Sequence, residues 1–164
     1  MTKLIFRTTK LNVGISIFCR SLGLKIRDMA DSRAQVRIGK ENYKTEINLR
    51  QHTLIADEPE EVGGTDLGPT PSELLAASLG SCIAITMRMY ADRKGWPLDA
   101  VQVRVEVLKE DSDNVGSNEQ VTVFEVKTEL SGALDEAQER RIRIIGTKCP
   151  IHKILQHTSE IRMV

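Results

Sequence analysis

Residues 70–97 read TPSELLAASLGSCIAITMRMYADRKGWP, and this stretch decides the fold. Thr70 and Glu73 are spaced as the two halves of a capping box, and Pro71 stands at the first helical position between them. A glycine and then a proline follow Lys94 and end the helix there. The stretch therefore predicts one long helix that begins at Pro71.

The middle of this helix carries no charge from Leu74 to Met87. Its residues are apolar on nearly every face, which is typical of a helix that the rest of the protein surrounds. The uncharged run is also too short to span a bilayer. We therefore expect a central core helix in a soluble protein.

Short segments with β-strand character lie on both sides of this helix. Two extended segments precede it, near residues 34–38 and 45–55, and two alternating segments follow at 101–108 and 121–128. Polar residues 111–118 join the alternating pair, which predicts an antiparallel hairpin with one solvent-facing side.

Two shorter helices and a last strand complete the predicted order of elements. The helices cover about residues 135–146 and 149–156, and residues 159–164 form the strand. The chain is thus predicted to be α+β, with an antiparallel sheet packed on a long buried central helix.

The composition fits one globular domain. The chain has 164 residues, of which 28% are charged, and its 23 basic residues balance 23 acidic ones. Only 4% of the residues are aromatic, which is too few for a base-stacking surface. Nucleic acid is therefore not an expected partner.

The amino-terminal segment differs in charge from the rest. Residues 1–27 contain six basic residues and no acidic one, whereas the chain from Asp28 onward has seventeen basic and 23 acidic residues, a formal net charge of −6. Three interpretations are open: a secretory signal, although polar residues and glycine interrupt its apolar stretch, an organelle presequence, or sequence upstream of a natural start at Met29. We favour the third, with residues 1–28 as a basic extension and residues 29–164 as a single domain.

Three cysteines are candidates for chemistry: Cys19, Cys82 and Cys149. An odd and widely spaced set does not resemble the disulfide framework of a secreted protein, so we expect a cytoplasmic protein. Cys149 directly precedes Pro150 at the start of the last predicted helix, where unpaired backbone N–H groups and the helix dipole favour a thiolate. The alternative interpretation is a buried apolar cysteine beside a helix-starting proline.

Cys82 lies in the middle of the long helix, where a cysteine is usually a small core residue. Apolar surroundings raise the pKa of a thiol unless a cation lies close by. A metal site made of the two cysteines with His152 and His157 is conceivable, but the spacing of these residues does not resemble a ligand pair. We therefore predict no metal.

Two blocks of sequence together resemble the OsmC/Ohr family, named for osmotically inducible protein C and organic hydroperoxide resistance. The first comprises Gly63-Gly64, the run GPTPSELLAA at 68–77 and Gly80-Ser81-Cys82, and the second is the run CPIHK at 149–153. The resemblance covers about residues 33–164 and leaves residues 1–28 outside it. It implies a tightly intertwined homodimer with two long central helices between sheets and active sites at the subunit interface.

The resemblance also implies a reaction. Cys82 would be the peroxidatic cysteine, which attacks an organic hydroperoxide to give an alcohol and a sulfenic acid. Cys149 would be the resolving cysteine, which closes a disulfide with it. An external dithiol, a dihydrolipoyl group in relatives, would reduce this disulfide, so no bound cofactor is expected.

Two departures from the family pattern leave an alternative open. Family peroxidases place a glutamate ten residues before the first cysteine, where this chain has Ser72, and Glu73 lies half a turn out of phase with Cys82. The arginine that this glutamate orients has three candidates, Arg33, Arg37 and Arg50. These traits resemble the less-studied OsmC-like branch. The alternative is therefore a non-catalytic binding module for a small thiol or a lipophilic ligand at the dimer interface.

Overall fold

The computed structural model describes residues 32–111 and 120–163. Within these segments the order is β1 (Gln35–Ile38), β2 (Thr45–Leu49), β3 (His52–Ala56), a 3-10 turn (Glu60–Val62), α1 (Pro71–Lys94), β4 (Leu98–Asp111), β5 (Gln120–Gly132), α2 (Glu136–Gly146) and α3 (Pro150–Gln156). The fold is α+β, as predicted. The proposed extension 1–28, with Cys19, and the proposed start at Met29 lie outside the described residues.

The first sheet is antiparallel, with the strand order β1–β2–β3. The prediction of one extended segment at 45–55 is wrong, because the chain reverses there and Leu49 pairs with His52. Arg50 makes the reversal with a φ of 56°, in the left-handed region. Two-residue hairpin loops need such positive φ values, but Arg50 and Gln51 lack the glycine or asparagine that signals them in a sequence.

The second sheet is the predicted hairpin of β4 and β5, antiparallel with Val105 opposite Val126. Its predicted turn falls largely on residues 112–119, which lie outside the described segments. A Cβ added to Gly80 would lie 3.3 Å from Val105 and 3.8 Å from Val103. The glycine therefore allows β4 to pack closely on α1.

A buried carboxylate fixes the loop between β3 and α1. Asp57 is 1% exposed. Its side chain accepts hydrogen bonds from the N–H groups of Glu58, Thr65 and Leu67 and from the Thr65 hydroxyl. The Thr65 hydroxyl contributes most to lowering the pKa of Asp57. The loop is thus held in one shape where it leads into α1.

α1 begins and ends as predicted. Thr70 Oγ1 accepts a hydrogen bond from the Glu73 N–H at 3.2 Å, and Glu73 Oε2 accepts one from the Thr70 N–H at 2.8 Å. The helix ends at Lys94, and Gly95 continues the chain with a left-handed φ of 64°. Local signals are sufficient here because a cap depends on residues that are neighbours in the sequence.

α1 is also the centre of the hydrophobic core. It is 24 residues long, and its length and hydropathy would suit a membrane span. It packs instead against β4, α2 and α3. Its side chains Leu79, Ile83, Met87 and Ala91 are each at most 3% exposed. This burial identifies α1 as the core helix of an α+β domain.

The last two helices lie where the sequence predicts them, whereas the final strand does not form. α2 begins with a capping box of Asp135 and Gln138, and α3 has Cys149 as its N-cap. The prediction of a strand at 159–164 is wrong for its described part, since residues 159–163 have no regular secondary structure. A strand needs a neighbouring strand for its hydrogen bonds, and neither described sheet extends to this segment.

Candidate active site

Close packing of α2 on α1 brings the two candidate cysteines together. Gly146, the last residue of α2, lies against α1, where an added Cβ would clash with the end of the Met87 side chain and lie 3.2 Å from Ile83 Cγ2. A tight turn follows, in which the Cys149 N–H donates to the Gly146 carbonyl at 3.2 Å. Cys149 thereby packs in the same hydrophobic cluster as Cys82, the neighbour of Ile83 on α1.

Both thiols are free rather than joined in a disulfide, and each one changes the pKa of the other. Cys149 has no exposed surface, whereas Cys82 is partly exposed. The pKa of Cys82 is lowered and that of Cys149 is raised, which is the pattern of a Cys149 thiol that donates to the Cys82 sulfur. An accessible sulfur is thus held next to a buried thiol that serves as its hydrogen-bond donor.

This contact gives Cys82 a low pKa. The hydrogen bond from the Cys149 thiol is the largest influence and lowers the pKa of Cys82 to about 6, although burial opposes it. The Ile151 backbone N–H and the Thr86 hydroxyl lower it further by smaller amounts. At neutral pH most of Cys82 is therefore thiolate, which is the nucleophilic form.

The same contact raises the pKa of Cys149. Its thiol proton is engaged by the Cys82 sulfur, and burial also disfavours its charge. Cys149 Sγ does accept the N-cap hydrogen bond from the His152 N–H at 3.2 Å, but that bond does not offset the other two effects.

The sequence-based order of acidity is therefore wrong. The position of Cys149 at a helix start predicts that it is the more acidic cysteine, and the apolar helix around Cys82 predicts a raised pKa there. Both predicted effects are present, since burial raises the pKa of Cys82 and the His152 N–H lowers that of Cys149, but the interaction between the two thiols outweighs each of them. Two thiols that share a proton behave as one coupled pair, and the negative charge falls on the sulfur that is less buried.

One residue of the site, Thr86, is not among the candidates that the sequence offers. Thr86 is 7% exposed, and its hydroxyl donates to the Cys82 carbonyl at 2.7 Å. The same hydroxyl makes a small contribution to lowering the pKa of Cys82. The available signal was spacing, since a polar residue four positions after a helical cysteine lies on the same face of the helix.

Large apolar side chains flank Cys82 on the outer face of α1. Leu75 is 43% exposed and Ile85 is 59% exposed. By helical spacing both lie on the same side of α1 as Cys82. Exposed apolar side chains beside a reactive sulfur favour contact with an apolar ligand or a protein surface rather than with water.

Glu73 faces away from Cys82, as its spacing predicts. Together with Gly80, Val103 and Val105 it lines a groove of about 430 Å³ between α1 and β4. Its carboxylate is engaged by the Thr70 N–H at 2.8 Å. Glu73 is therefore a helix-capping residue rather than an orienting residue for Cys82.

The three arginine candidates lie at or before the first sheet. Arg37 is in β1 opposite Glu46, Arg50 is in the turn after β2, and Arg33 precedes β1. The groups that lower the pKa of Cys82 are a thiol, an amide and a hydroxyl. Within the described part of the unit from Gln35 onward, neither Arg37 nor Arg50 has this effect.

A metal site is not assembled from the described residues. Residues 32–111 and 120–163 contain no group of three or more His, Cys, Asp or Glu side chains that could hold a metal ion. The conceivable set of two cysteines with His152 and His157 is therefore not brought together.

The carboxyl-terminal part of the chain shows to which protein family it belongs. The model of the OsmC-like protein family matches residues 64–164, a range that includes both cysteines of the site. The chain belongs to the OsmC family. The sequence resemblance is thus confirmed at the level of the family.

Solved OsmC-family structures share the fold of this chain. An OsmC-like protein from Mycoplasma pneumoniae is 16% identical, with a TM-score of 0.63, covering 77% of this chain and 87% of its own. An organic hydroperoxide resistance protein OsmC from Legionella pneumophila is 19% identical, with a TM-score of 0.57 and coverage of 76% and 88%. An OsmC-like protein of unknown function from Vibrio cholerae is 12% identical, with a TM-score of 0.60 and coverage of 76% and 92%.

At identities of 12–19%, the similarity to these structures establishes the fold of the chain but not its activity or its substrate. Among curated proteins, no sequence matches the chain.

Proposed function

We propose that this OsmC-family protein is a cytoplasmic, thiol-dependent peroxidase that reduces organic hydroperoxides to alcohols, with Cys82 as the peroxidatic and Cys149 as the resolving cysteine. One observation carries the proposal. The partly exposed Cys82 packs against the cluster that contains a second free thiol, Cys149, and this neighbour lowers the pKa of Cys82 to about 6 while its own pKa is raised. The pair thus supplies a thiolate and a neutral thiol side by side at neutral pH.

The first half of the proposed reaction uses the thiolate. The Cys82 sulfur attacks the distal oxygen of the hydroperoxide, and the O–O bond breaks as the S–O bond forms. The leaving alkoxide takes up a proton from water and departs as the alcohol. Cys82 is oxidised to a sulfenic acid while the peroxide is reduced.

The second half uses the proximity of Cys149. Its sulfur attacks the sulfenic sulfur of Cys82, an S–S bond forms, and the hydroxyl of the sulfenic acid leaves as water with the Cys149 proton. An external dithiol, of the dihydrolipoyl type, then reduces the disulfide by two thiol–disulfide exchanges. The cycle needs no bound cofactor.

The apolar surface around Cys82 supports an organic substrate. Leu75 and Ile85 offer exposed hydrocarbon on the face of α1 that carries the sulfur, which suits an alkyl or aryl hydroperoxide better than hydrogen peroxide. Several solved relatives are named organic hydroperoxide resistance proteins, and this is consistent with the proposal.

Exposed apolar residues on the first sheet support a homodimer as part of the proposal. Val36 is 59%, Ile38 is 56% and Leu54 is 43% exposed. Val36 and Leu54 both flank Ile47 across the sheet, so they share one face. A second copy of the chain that covers this face would bury it, as the family resemblance implies.

The experiment is consumption of cumene hydroperoxide with dihydrolipoamide as the reductant. We expect wild type to turn over, Cys82→Ser to lose at least about a hundredfold in rate, and Cys149→Ser to consume about one equivalent and stop at the sulfenic acid. An inactive wild-type protein, or a fully active Cys82→Ser variant, would end the peroxidase proposal.

The second candidate function is a binding module for a small thiol or a lipophilic ligand. It is favoured by Ser72 at the position of the family glutamate and by the absence of a cation among the described groups that lower the pKa of Cys82. Saturable binding of such a ligand, without peroxide turnover in the same preparation, is the outcome that selects it.

A further inference from the structure

Thr86 is one of the two buried polar or charged residues among those described, the other being Asp57. The Asp57 carboxylate accepts four hydrogen bonds, all from the loop between β3 and α1, so its role is to hold that loop. Thr86 lies one helical turn after Cys82, with its hydroxyl 2.7 Å from the Cys82 carbonyl. Its polar atom is therefore placed directly beside the candidate active site.

The hydrogen bond from Thr86 to the Cys82 carbonyl is dispensable. In an α-helix that carbonyl already accepts the backbone N–H of residue 86, four positions later. The hydroxyl adds only a second bond to a satisfied acceptor. Rotation about its C–O bond redirects the proton without moving any heavy atom.

We propose that the Thr86 hydroxyl turns from the Cys82 carbonyl to the Cys82 sulfur when that thiol ionises, which makes Thr86 a catalytic residue of this site. A neutral thiol is a weak hydrogen-bond acceptor, so the hydroxyl stays on the carbonyl while Cys82 is protonated, at a pH below the Cys82 pKa. A thiolate is a far stronger acceptor and attracts the same proton. The proton released by Cys82 passes to solvent.

Thr86 then completes a set of neutral donors around the sulfur. The Cys149 thiol and the Ile151 N–H are the other two. Three hydrogen bonds from uncharged groups can stabilise an anion in place of one cation. The chemical use of this charge rests on the proposed peroxidase function, whereas the charge itself is measured without any peroxide.

The test follows the pH dependence of iodoacetamide alkylation at Cys82, quantified by the mass of its peptide. Thr86→Val removes the hydroxyl and nearly keeps the shape, and Thr86→Ser keeps the hydroxyl. Thr147→Val is the matched control, because the Thr147 hydroxyl also donates to a helix carbonyl, that of Ile144, at 2.9 Å. Circular dichroism shows whether each variant is folded.

We expect Thr86→Val to raise the alkylation midpoint by about one pH unit, a tenfold loss of thiolate below the midpoint. Thr86→Ser and Thr147→Val stay at the wild-type midpoint. A wild-type midpoint in Thr86→Val, or an equal rise in Thr147→Val, overturns the inference.

The outcome is separable from that of the peroxidase proposal. A raised midpoint in a protein that consumes no peroxide retains Thr86 as the donor and rejects the enzyme. An active enzyme whose alkylation midpoint is unchanged in Thr86→Val retains the peroxidase proposal and rejects Thr86 as the donor.

Discussion

Cys82 and Cys149 occupy opposite kinds of position on their helices. Cys82 lies in the middle of α1, where every backbone N–H is already bonded, and Cys149 caps the start of α3, where its sulfur accepts the His152 N–H at 3.2 Å. By helix position alone, Cys149 has the better site for a negative charge. The structure gives the lower pKa to Cys82.

The comparison shows that a neighbouring thiol can affect the pKa of a cysteine more strongly than a position at the start of a helix does. A thiol that donates its proton to another sulfur has a raised pKa, even at a helix start that would otherwise favour its thiolate. Burial adds to this, because Cys149 has no exposed surface and Cys82 has some.

The largest effect is expected from Cys149→Ala, which removes the main donor to Cys82. The alkylation midpoint of Cys82 should rise by about one to two pH units, since the sulfur loses its strongest stabilising contact while burial remains. Cys149→Ser is the matched control, and because its hydroxyl can still donate, it should shift the midpoint less. Equal midpoints in wild type and Cys149→Ala would show that the contact between the thiols is not the cause.

A second effect is expected from the packing that joins the two regions. Gly146→Ala places a methyl group against Met87 and Ile83, and overpacking of this kind costs about 1–3 kcal/mol. Thermal unfolding should show the lower stability, and the Cys82 midpoint should rise because Cys149 is displaced.

Gly39→Ala is the control for this change, since a Cβ there has no neighbour within 4 Å. A Gly146→Ala protein with the stability and midpoint of wild type would contradict the role given to this contact.

The smallest effect is a pH dependence of stability. The pKa of Cys82 is lowered to about 6 in the folded protein, so its thiolate contributes stability that is fully present above the ordinary thiol pKa. This contribution is lost as the pH falls through 6. The difference in Tm between wild type and Cys82→Ser should therefore be larger at about pH 8 than at about pH 5. A difference that does not change with pH would count against the lowered pKa.

Much of the fold could be predicted because its signals are local. The capping box of Thr70 and Glu73 and the glycine after Lys94 fix α1 within a few residues, and alternation fixes the hairpin of β4 and β5. The reversal at Arg50 could not be predicted, because its left-handed backbone is imposed by strand pairing rather than by a residue that prefers it.

The site was less predictable than the fold. Two cysteines 67 positions apart carry no spacing that links them, and only the family resemblance paired Cys82 with Cys149. Their order of acidity depends on which sulfur is buried and which one donates, and both follow from the packing of α2 on α1. Thr86 was missed for a simpler reason: its spacing of four positions from Cys82 places it on the same helix face, but that spacing alone does not distinguish it from other neighbours of the cysteine.

Gly146 has a consequence for anyone who wishes to build such a thiol pair into another protein. The local motifs, a helix with a cysteine and a Cys-Pro helix start, are easy to copy and insufficient. In this protein Gly146, at the end of α2, lies against Met87 and Ile83 of α1, and Ile83 directly follows Cys82. A designer would therefore transfer the contact between α1 and α2 first, with Gly146 and the residues that it packs against, and only then the two cysteines.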